Sequence, residues 1–157
     1  MSTTTATGRN ADASVGNWKA GVIGGVAGAA VMGALVMIMN LATLAVAIPS
    51  LYTLAPPASP GLGLVVHLSH GAVLGVVFAG LVQLFDRTGT KQLVGLGLGW
   101  GVVTWVVLAA LVMPLWLSAV GSPASPPFPN FAVPSLLWHA VYGVVLGGVY
   151  AVTKDRL

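Results

Sequence analysis

The sequence contains no cysteine. That excludes disulfides, thiolate nucleophiles, thiolate metal sites and iron–sulfur clusters. Charge is almost as scarce: six Lys or Arg and three Asp or Glu make up 6% of 157 residues. A soluble domain carries about 25% charged residues, so a soluble globular fold is excluded. The three carboxylates, Asp12, Asp86 and Asp155, all fall outside the apolar stretches. Paired-carboxylate catalysis, a carboxylate proton relay and a charged ion pathway therefore lack their usual residues. There is no GxxxxGK[ST] phosphate loop, and no Ser-His-Asp triad can gather in one layer. The basic residues stand singly, without the stripe that nucleic acid binding needs.

What the sequence has in excess is apolar surface and glycine. Hydrophobic residues make up 57%, mean hydropathy is +0.95, and there are 21 glycines. Four apolar stretches follow one another, at about 18–48, 61–85, 92–120 and 134–152. Each matches or exceeds the ~20 residues that cross the hydrocarbon as a helix. Backbone polar groups cannot stay unpaired in lipid, so helices are the reading at this length. The expected fold is all-α, an integral membrane four-helix bundle spanning 17–152. A flexible Ser/Thr/Ala-rich tail (1–16) precedes it and a short charged end (153–157) follows.

The connections are of two kinds. The tail with Arg9 and Lys19, the 86–91 turn with Arg87 and Lys91, and the end with Lys154 and Arg156 hold all six basic residues. The 49–60 and 121–134 loops are uncharged and rich in proline. With four spans the charged regions share one side. The positive-inside rule makes that side the cytoplasm, with both termini there, in the cell's inner or plasma membrane. Trp18 and Trp100 fall toward the inner side and Trp116 and Trp138 toward the outer, as in an aromatic belt. Pro114 lacks an N–H and is expected to kink the third helix. Tyr52, Phe128 and Phe131 in the proline-rich loops are candidates for docking a partner.

The second and fourth stretches resemble each other at an offset of 72 residues. His67, Gly71, Leu74 and Gly75 align with His139, Gly143, Leu146 and Gly147, and Phe78 faces Tyr150. The chain thus reads as two tandem two-helix repeats. Each has an even number of spans, so the copies would be related by a pseudo-two-fold axis along the membrane normal. That axis would set His67 opposite His139.

The three histidines carry the remaining chemical signal. At 1.5 Å per residue, His139 lies about 8 Å and His67 about 9 Å from the outer ends of their helices, with His70 one turn deeper. Asn40, Thr43, Ser69 and Tyr142 are expected in the same layer, turned toward the bundle interior. His67 and His139 on facing helices would suit a bis-histidine haem b. His67 and His70, three residues apart, would suit copper or zinc, with His139 as third ligand. As packing motifs, Gly71-x-x-x-Gly75 and Gly143-x-x-x-Gly147 let helices approach closely, and a nearby histidine can hydrogen-bond across the contact, His67 to Tyr142 or His139 to Ser69.

The pattern His139, Tyr142, Gly143, Leu146, Gly147, Tyr150, with the Val-Met-Pro-Leu run at 112–115, resembles a set of small uncharacterised four-helix membrane proteins. These are common in haloarchaea and some bacteria, and some carry a histidine kinase label. The resemblance covers about 21–152 and implies the fold without an activity. No segment here is long enough to hold a kinase nucleotide domain. The expected function is that of a non-catalytic accessory or interaction subunit of a larger membrane complex. Its partners would be the lipid bilayer and other membrane subunits or a second copy. The alternatives are a b-type cytochrome, and behind it a histidine metal site or a transporter.

Overall fold

The computed structural model describes residues 16–157, which are helical apart from their connections, with no strand among them. The expected tail lies outside the described residues, apart from Gly16. Helix α1 (Trp18–Met39) starts at Asn17, whose Oδ1 accepts from the Ala20 N–H at 3.0 Å. This satisfies one of the donors that every helix start leaves unpaired. Helices α3 (Pro60–Leu84) and α6 (Val133–Thr153) both carry proline in the first turn, where its missing N–H is not needed.

The first apolar stretch is not one helix, contrary to expectation. Helix α1 stops at Met39, and the chain resumes as a π-helical turn, Thr43–Ala47, followed by α2 (Ile48–Ser50). The break falls at Asn40, whose side chain competes with helix bonding. Asn40 Oδ1 accepts from Thr43 N at 3.3 Å, so it caps the following turn instead. The third stretch does continue, over Thr90–Ala119. It consists of α4 (Thr90–Thr104), a π-helical segment (Trp105–Val112) and α5 (Met113–Ala119).

Both irregular segments run into a proline, and both loops use the consequence. Pro49 offers no N–H to the Ala45 carbonyl, and Ser59 N donates there at 2.9 Å. Pro114 offers none to Ala110, and Asn130 N donates there at 2.9 Å. Each proline-rich loop is thereby pinned to the helix it follows. At Pro114, where a kink is expected, the helical stretch continues to Ala119 after this π-helical segment and its loop contact.

The start of α1 and the ends of α3 and α6 meet. Asn17 Nδ2 donates to Lys154 O at 2.7 Å, and Gly16 N donates to Gln83 Oε1 at 2.7 Å. This is the termini end of the bundle, and the proline-rich loops form the loop end. Four helices are long and apolar enough to cross a membrane: α1, α3, Thr90–Ala119 and α6.

Glycine sets the packing. A Cβ on Gly25 would strike the Gly71 carbonyl, and one on Gly75 the Gly21 carbonyl, so α1 and α3 run backbone to backbone. In the second half, Gly97 and Gly143 stand in the same relation between α4 and α6. Such approach allows Cα–H···O contacts worth about 0.5–1 kcal/mol each. Both seams obey the offset of the repeat: Gly25 corresponds to Gly97 and Gly71 to Gly143.

Between the halves the symmetry fails. Helix α1 also packs on α6, where a Cβ on Gly24 would lie 2.9 Å from the Leu146 carbonyl and one on Gly28 2.7 Å from the Tyr142 carbonyl. The equivalent pair, α4 and α3, touches at only a few residues. The positions matching Gly24 and Gly28 are Leu96 and Trp100, whose bulk packs against the core. The expected pseudo-two-fold therefore relates the hairpins but not their contact. The spatial order is α3, α1, α6, then the third long helix.

A lateral cavity at the loop end

The gap between α3 and the third long helix contains a cavity of about 580 Å³. That lies inside the range of about 300–1,000 Å³ typical of small-molecule and cofactor sites. Helix α3 gives one wall and the segment from Thr104 to Trp116 the other. The back is formed by α1 and α6, which contribute Ala29, Met32, Val36, Trp138 and Tyr142. Leu51 and Tyr52 cover the loop end. The bordering residues Val73, Leu108 and Val112 are exposed where the two walls stand apart, so the cavity is open between the helices. No charged side chain lines it among the described residues.

All three histidines line this cavity. They do not pair as expected. His67 is 8% exposed, and its Nε2 is buried without a hydrogen-bond partner. That nitrogen is turned toward α1, where a Cβ on Gly33 would come within 3.7 Å of it. His70 Nε2 bonds the Tyr52 hydroxyl at 2.7 Å, with ring centroids 5.7 Å apart. His139 Nδ1 donates to the Ser135 carbonyl at 2.8 Å. Tyr142, 3% exposed, donates to the Gly71 carbonyl at 3.3 Å. The expected bonds of His67 to Tyr142 and His139 to Ser69 are not made.

Two members of the expected polar layer face elsewhere. Asn40 is exposed and occupied as a cap. Ser69 is exposed and its Oγ donates back to Val65 O at 2.8 Å, the usual way a helix serine hides its hydroxyl. Thr43 does line the cavity, and Thr104, which the sequence reading passed over, lines it too. The glycines Gly71, Gly75, Gly143 and Gly147 are all buried in the seams, as packing residues should be. No group of three or more His, Asp or Glu side chains is placed to share a metal ion among the described residues.

The tryptophans divide as well. Trp18 and Trp116 are about half exposed and suit an interfacial belt. Trp138 is only 6% exposed and donates to Met39 Sδ at 3.1 Å, so it is a core residue rather than an anchor. Trp116 Nε1 donates to the Leu51 carbonyl at 2.9 Å. Together with Tyr52 and His70, this makes residues 51–52 a strap joining the two walls of the cavity. Nothing in the residue spacing signals that strap. Phe128 and Phe131 stay exposed, Phe131 resting edge-on against Trp105.

Fold and site together define a class: a small all-helical protein of four long apolar helices, with an uncharged cavity opening between two of them. The chain belongs to DUF6789, a family of unknown function, which it matches over residues 15–157. No curated protein and no solved structure matches it.

Proposed function

We propose that this chain is a non-catalytic membrane subunit that holds a neutral lipophilic ligand in the cavity between α3 and the third long helix. One observation carries the reading: the cavity is uncharged, apolar and open sideways, the direction from which a bilayer component arrives. The histidine contacts favour binding over chemistry. His70 and His139 are each held by a hydrogen bond at one ring nitrogen, and no carboxylate, lysine or arginine stands beside them in the lining. An accessory role is supported by the outward face of α4, where Gly95 and Gly99 have open space beside them. A lipid or a second helix covers such a face equally well.

The reading puts the protein in the inner or plasma membrane with both termini in the cytoplasm. Lys19, Arg87, Lys91, Lys154 and Arg156 all belong to the termini end, which supports that orientation. Reporter fusions at each terminus and in the 121–132 loop test it.

A bis-histidine haem is the weaker alternative. His67 and His139 share the cavity, but His67 Nε2 is packed against Gly33 and must turn to reach an iron. The expected reduced-minus-oxidised spectrum is flat. Haem bands that vanish in His67→Ala would reverse the order of the two readings.

Native mass spectrometry of protein purified in mild detergent tests the binding reading. The wild type is expected to retain one small molecule per chain. Leu108→Trp, which fills the opening, is expected to lose it, while Val103→Trp on the outward face keeps it. Equal retention by all three chains contradicts the proposal.

A further inference from the structure

One polar group of the cavity, His139, has its hydrogen-bonding sense fixed by its partner. The Ser135 carbonyl can only accept, so His139 Nδ1 carries the proton of the bond between them. In a neutral imidazole the other nitrogen, Nε2, is then a lone-pair acceptor. It has no hydrogen-bond partner among the described residues.

The ring and hydroxyl donors that line the cavity are largely committed. Thr104 Oγ1 donates to Gly101 O at 2.9 Å, and Tyr142 Oη to Gly71 O at 3.3 Å. Trp116 donates to Leu51 O and Trp138 to Met39 Sδ. Tyr52 and His70 share one hydrogen bond, which leaves one donor of that pair open at the exposed loop end. The rotatable hydroxyls of Thr43 and Ser135 and the His67 ring also remain uncommitted, with His67 Nε2 turned toward α1 rather than the opening. His139 is the histidine whose tautomer its partner fixes, and its open Nε2 asks for a hydrogen. A lone-pair acceptor facing an ether or ketone oxygen gains nothing and loses its hydration.

We propose that the ligand is a neutral lipid with a free hydroxyl, an alcohol or phenol on an apolar chain, and that His139 Nε2 accepts its proton. This rests on the binding reading above and adds the chemistry of the head group. The absence of charge in the lining disfavours phosphate or carboxylate heads. The hydroxyl would lie at the loop end beside α6, with the chain directed toward the opening at Val73 and Leu108. Tyr52 and Leu51, bonded to the two walls, form the cover over it.

The test uses the full chain, stripped of lipid and returned to nanodiscs. The probes are a long-chain isoprenoid alcohol and its methyl ether, with Trp116 and Trp138 fluorescence as readout. The alcohol is expected to bind about three- to tenfold more tightly, the worth of one hydrogen bond. In His139→Leu the two probes are expected to bind equally, at the affinity of the ether. Equal binding of both probes to the wild type, abolished in Leu108→Trp, overturns the hydroxyl inference and leaves the binding reading intact. A preference that survives in His139→Leu also overturns it, because another group then reads the hydroxyl. Failure of both probes to bind, or undiminished binding to Leu108→Trp, overturns the binding reading itself. The wild-type comparison decides the matter even where a variant fails to fold.

Discussion

In the first half of the chain, Gly24 and Gly28 let α6 lie against α1; in the second, Leu96 and Trp100 stand at the matching positions and α3 stays away from α4. Within each hairpin the glycine seam is the same, Gly25 on Gly71 and Gly97 on Gly143. Duplication thus accounts for the hairpins, and divergence at two residues per helix for how they meet. The lesson concerns where a site comes from. A symmetric bundle would close both contacts and leave no lateral opening. The asymmetric one packs three contacts tightly and leaves the fourth apart, with a cavity in it.

The largest expected effect comes from breaking what the halves share. Gly25→Leu or Gly71→Leu drives a side chain into the facing backbone, and overpacking of this kind costs about 1–3 kcal/mol or more. We expect a marked loss of thermal stability and of monodisperse protein in detergent. Gly95→Leu and Gly99→Leu, which face open space, should stay within about 0.5 kcal/mol of the wild type. Equal loss at both sets of positions would remove the seam from the account.

The next effect sharpens what the halves do not share. Replacing both Leu96 and Trp100 by glycine gives α4 the small residues that α1 has at the matching positions. The two helices should move closer and ligand retention should fall, read by spin-label distances and native mass spectrometry. A smaller effect is expected at the cover. Tyr52→Phe loses its bond to His70, worth about 1 kcal/mol or less at an exposed site. Hydrogen exchange in 51–59 should quicken while the global melting temperature stays nearly unchanged. The smallest effect belongs to Ser69→Ala. That side chain turns outward and bonds only Val65, so stability and ligand retention should both hold.

Much of the fold was legible because apolar length and glycine spacing act locally. The second and fourth stretches gave helices within a residue of the expected bounds. The first did not, because hydropathy alone does not register that Asn40 prefers to cap a new turn. The histidine layer was legible from depth along the helices. The partners were not. Ser69 and Asn40 sit at the right depth but on the wrong face, and depth says nothing about rotation. Trp138 was misread as an anchor for the same reason. The Leu51–Tyr52 strap depends on a loop returning over two helices, which no local spacing encodes. The pairing of Leu96 and Trp100 with Gly24 and Gly28 appears only when the 72-residue offset of the second and fourth stretches is carried onto the first and third. It acquires meaning only once α1 is seen against α6.

The central claim is that the contact between α3 and the third long helix is wider than its counterpart between α6 and α1. The absence of native cysteine makes paired spin labelling direct. Val65 with Val103 and Leu137 with Val31 are equivalent pairs under the repeat, and all four side chains are exposed. Labels at these pairs, measured by pulsed dipolar spectroscopy in nanodiscs, compare the two contacts directly. The account predicts a longer distance for Val65–Val103 than for Leu137–Val31. Equal distances would mean a symmetric bundle, and the lateral cavity and its ligand would fall with the asymmetry.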